Sequence, residues 1–241
     1  MIFKRIKFKT KKLLSEPIKE LKLDFYKYKL KRTKNSEDYL IIKFNMLKNI
    51  KSDINEHIPT LSEYASKVET IFETGVRGVV SSWAFLEGLN RNKSHVKRLF
   101  LNDIEECDLS EITSIANYLN IELTYKWGNN LDLNTPYTYD LVFIDTWHVY
   151  AQLKRELEKF SKISNKFIIL HDTTIDGEYG ESIRHGWDIE QQSKESGFPV
   201  EEISKGLWPA VEEFLEKNNE WVLEKRFFNC NGLTILKKNI G

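Results

Sequence analysis

The strongest constraint in this chain is a recurring unit in which a short β-forming run stops at or beside an acidic residue and gives way to a helical stretch. Thr70–Thr74 carries Glu73, Leu99–Asp103 ends at Asp103, Asp140–Asp145 ends at Asp145, and Phe167–Asp172 ends at Asp172. Ile121–Trp127 reads as one more strand, and Tyr150–Phe160 has the spacing of an amphipathic helix. Strands that are nearly continuous in apolar residues, alternating with helices, are the sequence form of a parallel sheet covered on both faces. The chain closes with a predicted helix over Trp208–Lys217 and two strands, Trp221–Phe228 and Leu233–Lys237. Between them lies Asn231-Gly232, a hairpin signal.

The expected fold class is therefore α/β: a doubly wound, Rossmann-like, seven-stranded sheet, mostly parallel, with a C-terminal antiparallel hairpin and a basic N-terminal arm. A chain of 241 residues with 41% hydrophobic and 12% aromatic residues has enough apolar matter for such a core, which excludes global disorder. No run approaches the roughly 18 apolar residues of a membrane helix, so a soluble protein is expected. Cys107 and Cys230 stand far apart without metal-ligand spacing, which fits a reducing, cytoplasmic compartment.

The 36 basic and 36 acidic residues cancel only in sum. Residues 1–34 hold thirteen Lys or Arg against Glu16, Glu20 and Asp24, or 13 − 3 = +10, and the remainder carries −10. This balance argues against nucleic acid as a partner. It divides the chain into a basic arm (1–40) and a main domain (41–241). With Ile2, Phe3, Ile6, Phe8, Leu13 and Leu14, the arm suits either a helical extension packed on its own domain or a contact through residues 1–34. Such a contact would be with the inner membrane surface or a glycosyltransferase. Homo-oligomer formation is left open.

In open α/β sheets, ligands bind beyond the carboxyl ends of the strands. There the segment Glu73-Thr74-Gly75-Val76-Arg77-Gly78-Val79-Val80-Ser81-Ser82 links a strand to a helix, and its glycines allow close backbone approach to a ligand. It is not a G-x-G-x-x-G motif. Asp103 has the place of a carboxylate that binds ribose hydroxyls, a requirement shared by NAD and S-adenosylmethionine. Ser110 is expected to cap the next helix.

The runs ETGVRGVVSSWAF (73–85), DLVFIDTWHVY (140–150), FIILHDT (167–173), GLWPAVEEFL (206–215) and FNCNGLTIL (228–236) resemble class I S-adenosylmethionine-dependent methyltransferases. The nearest branch is the metal-dependent O-methyltransferases of sugars and macrolide glycosides, with the cephalosporin hydroxylase-like proteins. The resemblance implies that Glu73, Gly75, Ser81 and Ser82 hold the methionine part of S-adenosyl-L-methionine and that Asp103 binds the ribose. It implies that Asp145 and Asp172 ligate Mg²⁺ or another divalent ion, and that His148 is the general base beside Asp145. Where the family has an acidic residue near adenine, this chain has Gly128-Asn129-Asn130, leaving Asn129 for that contact.

The chemistry is coherent. Two carboxylates on neighbouring strand ends repel, a hard cation relieves that repulsion, and metal-assisted deprotonation makes a sugar hydroxyl a nucleophile. His171 should point to the sheet face opposite Asp172 and is read as structural. Trp83 and Trp208 are read as core residues, and Trp147 as a contact for a small-molecule or glycan acceptor. The stretch from Thr173 to Lys205 is read as irregular and as covering the acceptor, with Asp176, Glu178 and Arg184 as contacts. His57, His95 and His185 receive no role. The rival readings are a nicotinamide-dependent oxidoreductase or epimerase and a non-catalytic docking protein.

Overall fold

The computed structural model describes residues 18–239. A helix over 18–32 (α1) is followed by α2 (Ser36–Asn49), a 3₁₀ turn (Asn55–His57) and α3 (Ile58–Ala65). The repeating unit then runs β1 (Thr70–Thr74), α4 (Val80–Arg91), β2 (Arg98–Asp103), α5 (Ser110–Tyr118), β3 (Glu122–Trp127), β4 (Tyr139–Ile144), α6 (Tyr150–Phe160) and β5 (Ser164–His171). Three short helices follow, α7 (Glu181–His185), α8 (Ile189–Ser196) and α9 (Val200–Ser204). The chain ends with α10 (Trp208–Lys217), β6 (Trp221–Phe227) and β7 (Leu233–Lys238).

The seven strands lie in the order β3-β2-β1-β4-β5-β7-β6. Pairing is parallel from β3 to β5, and β7 is antiparallel to both β5 and β6, so the expected mixed sheet is found. Alternation along each strand sends apolar side chains to two layers. Ile71, Leu99, Leu101, Leu141, Phe143, Ile169 and Ile235 pack with Leu61, Phe85 and Leu89 of α3 and α4. Phe72, Phe100, Val142, Ile168, Leu170 and Leu236 pack with Leu153, Leu157, Phe160, Val211 and Phe214 of α6 and α10. Strand order reverses between β1 and β4, which opens a crevice at their carboxyl ends.

Some expectations change. The stretch 173–205 is not irregular but holds α7, α8 and α9, whose polar, Gly-bounded sequences hide their short periodicity. Ser110 is the first residue of α5 rather than its cap, and its N–H donates to Asp108 Oδ1 at 3.0 Å. The final hairpin is found where Asn231-Gly232 signals it; its loop runs over residues 228–232, and Cys230, Asn231 and Gly232 all have positive φ. At Gly232 (φ +101°) a Cβ would fall 2.3 Å from Thr174 Oγ1, so only glycine fits there. Residue 40, taken as the end of the arm, falls inside α2, where Leu40 is buried against the main core. The arm residues 1–17 lie outside the described residues.

Candidate active site

The crevice is a cleft of about 1020 Å³. Its wall includes Gly75, Arg77, Ser81, Asp103, Asn129, Asp145, His148 and Asp172, contributed by the carboxyl ends of five strands and the start of α4. β1 ends in a loop with three positive φ angles, at Gly75 (+88°), Arg77 (+35°) and Val79 (+58°). Arg77 N–H donates to Asp103 Oδ2 at 2.7 Å, and Glu105 N–H donates to Asp103 Oδ1 at 2.9 Å. These bonds fix the Asp103 carboxylate at the rim of the cleft. Asn129 is in place on the wall, though its Oδ1 already accepts from Leu131 N–H at 3.0 Å.

Two expected cofactor residues lie behind the wall. Glu73 is completely buried and accepts a hydrogen bond from Ser81 Oγ, while Oε2 has no partner. Burial pushes its carboxyl up to about 8, so it is held as the neutral acid. Ser82, one residue further along α4, is buried away from the cleft. Helical rotation leaves only Ser81 of the serine pair at the opening.

The floor is a polar network that strand-end reasoning missed. Glu156 Oε1 accepts from Asn130 Nδ2 (2.6 Å), Thr146 Oγ1 (2.6 Å) and Gln152 Nε2 (2.8 Å), and Asn130 also donates to Thr74 Oγ1 at 2.9 Å. It ties the loops after β1, β3 and β4 together. The available signal was the pair Gln152 and Glu156, polar at i,i+4 spacing on the buried side of α6.

At the far end, His148 stands among four carboxylates. Its Nε2 lies 3.1 Å from Asp145 Oδ1 and 3.2 Å from Asp172 Oδ2, and its Nδ1 lies 3.2 Å from Asp176 Oδ2 and 3.6 Å from Glu181 Oε2. Burial disfavours the imidazolium, but Asp145, Asp176 and Asp172 outweigh it and raise His148 well above the usual imidazole range. Burial likewise opposes ionisation of Asp145, yet His171 and His148 hold its carboxyl well below the usual range.

His171 does not face away from Asp172. Its Nδ1 lies 3.3 Å from Asp145 Oδ1 and 3.4 Å from Asp172 Oδ2. The strand ends at His171, and Asp172 takes a left-handed backbone (φ +57°), which breaks the alternation. Against the cost of burial, the two aspartates raise His171 to about 10. His57, given no role from sequence, packs edge-on behind His171 with ring centres 6.0 Å apart and donates from Nε2 to the Asn229 carbonyl at 2.9 Å.

Asp176 and Arg184 are not free to contact an acceptor. Asp176 is completely buried, and Arg184 clamps it through Nε (2.6 Å) and Nη2 (2.9 Å). Glu178 is exposed and off the cleft wall. Trp147 lines the cleft, stacks on Phe198 with ring centres 6.1 Å apart and donates to Ser182 Oγ at 3.1 Å. Trp187, Gln192 and Glu195 reach the cleft from α8 and the segment before it. Trp83 is buried in the core, and Trp208 packs partly buried beside α6.

Sheet order, the terminal β7 reversal and the crevice define the class I methyltransferase fold. Solved structures share it: a protein from Corynebacterium glutamicum (14% identity, 77% of this chain and 82% of that one, TM-score 0.54). So does an O-methyltransferase from Bacillus cereus in complex with S-adenosylhomocysteine (SAH), at 15% identity over 86% of this chain and 92% of that one, TM-score 0.51. A third is the SAH-bound Podospora anserina methyltransferase PaMTH1 (12% identity, 83% and 87%, TM-score 0.52). At these identities the likeness establishes the fold. No family model matches the chain, and no curated protein matches its sequence. Among the described residues, no helix is long and apolar enough to cross a membrane.

Proposed function

We propose that this chain is an S-adenosylmethionine-dependent O-methyltransferase acting on a hydroxyl of a sugar or glycan precursor, assisted by a divalent cation. The observation that carries the reading is the continuity of one cleft from the Gly75 loop and Asp103 to the Asp145–His148–Asp172 cluster. A cofactor lying along the loop with its ribose at Asp103 would present its sulfonium methyl toward that cluster. Gly75 and Ser81 would flank the methionine part, and Asn129 the adenine. Trp147 and Trp187 offer flat apolar faces for a pyranose ring, beside the polar ends of Gln192 and Glu195.

The donor set fits a hard cation. The Asp145 and Asp172 carboxylates converge, each with an oxygen 3.1–3.2 Å from His148 Nε2, and the buried Oδ1 of Asp172 has no partner. Asp145 and Asp172 would hold a Mg²⁺-like ion, whose charge would lower the pKa of the acceptor hydroxyl and orient it. His148 in its neutral form would take the hydroxyl proton as the acceptor oxygen attacks the methyl carbon, the carbon–sulfur bond breaking to release S-adenosylhomocysteine. Glu181 and Asp176 keep the imidazole facing the cleft.

The test is methyl transfer to nucleotide sugars with Asp145→Asn and Asp172→Asn. Both variants should lose divalent-ion stimulation and retain SAH binding. Full stimulated activity in either would remove the carboxylate pair from the reaction.

A further inference from the structure

Helix α1 presents an apolar face that nothing among the described residues covers. Ile18 (56% exposed), Leu21 (71%), Phe25 (53%) and Tyr28 (58%) follow one another at spacings of three, four and three. At 100° per residue they fall within an arc of about 80°. The opposite stripe, Leu23, Tyr26 and Leu30, is half-buried, and Tyr26 Oη accepts from Asn49 Nδ2 of α2 at 3.0 Å. One side of α1 is therefore seated on the protein while the other faces solvent.

The exposed stripe is basic at its border. Lys22 and Lys29 lie along one edge, Asp24 and Lys31 along the other, and Arg32 continues the stripe itself. Residues 18–34 hold Lys19, Lys22, Lys27, Lys29, Lys31, Arg32 and Lys34 against Glu20 and Asp24, or 7 − 2 = +5. Lys29 Nζ sits 4.5 Å from the Phe25 ring centre, and the Arg32 guanidinium 5.3 Å from that of Tyr28. Aromatic rings with cations at their edge suit the headgroup boundary of a bilayer, where rings enter the acyl border and long basic chains reach back to phosphate.

We propose that α1 is an interfacial docking helix that lays Ile18, Leu21, Phe25 and Tyr28 into an anionic lipid surface. Charge decides the occupant. A second copy laid along the same stripe would bring together two segments (residues 18–34) of net +5 each, whereas anionic headgroups attract each basic residue near the surface. Nothing in this inference rests on the methyltransferase reading.

The experiment is flotation of the full chain with phosphatidylcholine vesicles containing or lacking phosphatidylglycerol, at low and raised salt. Binding is expected only to the anionic vesicles and should weaken with salt. Leu21→Ser/Phe25→Ser should lower partitioning about 10-fold or more, and Lys22→Ala and Lys29→Ala about 5-fold each. Because these side chains are exposed, thermal unfolding should be unchanged. The proposal is overturned by absence of binding, by equal binding to neutral and anionic vesicles, or by anionic binding indifferent to Leu21→Ser/Phe25→Ser. A wild-type dimer in sedimentation that the same double variant dissolves would assign the stripe to a second copy instead.

Discussion

Gly75 and Asp145 meet backbone to backbone: a Cβ on Gly75 would fall 1.9 Å from the Asp145 carbonyl oxygen. This contact locks the loop after β1 to the end of β4, and Gly75 also needs its φ of +88°. Gly75→Ala should therefore destabilise the fold by about 2 kcal/mol or more. SAH affinity should drop at least about 10-fold, because about 1.4 kcal/mol of lost contact is enough for that. Denaturant unfolding and titration calorimetry check both, and wild-type values in the two would show that the loop can shift aside freely.

Glu73 sets a pH dependence of stability. Its folded pKa of about 8 lies above the ordinary value of 4.5, so the native state holds a proton that the unfolded chain releases in that window. Stability should fall as pH rises from about 5 to 8 and level off beyond, by an amount on the order of 4 kcal/mol. Glu73→Gln, which can still accept from Ser81, should flatten this part of the profile and be the more stable protein above about pH 8. Denaturant midpoints across that range measure it.

The buried Asp176 depends on Arg184. Arg184→Ala leaves that carboxylate to His148 alone, and loss of about 2 kcal/mol is expected. The value sits below the range for fully buried pairs because the Arg184 side chain is 35% exposed. Asp176→Asn/Arg184→Ala should recover part of it, since no charge is then left unpaired, and a double-mutant cycle reads the coupling.

His148 carries the proton transfer in the proposed reaction, so His148→Ala should lower turnover by roughly 10²- to 10⁴-fold with little change in SAH affinity. The rate should climb with pH as His148 loses its proton, and the climb should be missing in His148→Ala. A pH–rate profile identical in both proteins would take the base role away from His148.

How far the sequence could be read depended on where information was local. Strands such as Thr70–Thr74 and helices such as Tyr150–Phe160 and Trp208–Lys217 declare themselves through periodicity and apolar runs, and the structure has them at those bounds. Strand-end acids were legible as a set, and Asp103, Asp145 and Asp172 do share the cleft. Glu73 and Ser82 were not separable from them, because one step along a strand or 100° around a helix decides between cleft and core. The facing of His171 was misread because the left-handed turn at Asp172 leaves no mark in composition. Asp176, Arg184 and Glu156 find their partners across loops, and such pairings depend on the finished tertiary fold.

The most direct measurement is calorimetric titration of the full chain with SAH and, in parallel, with NAD⁺, each with and without Mg²⁺. Binding of SAH at micromolar levels, none of NAD⁺, and loss of SAH binding in Asp103→Ala are expected. Binding of NAD⁺ alone, or of neither ligand, would contradict the assignment of this cleft to a methyl donor.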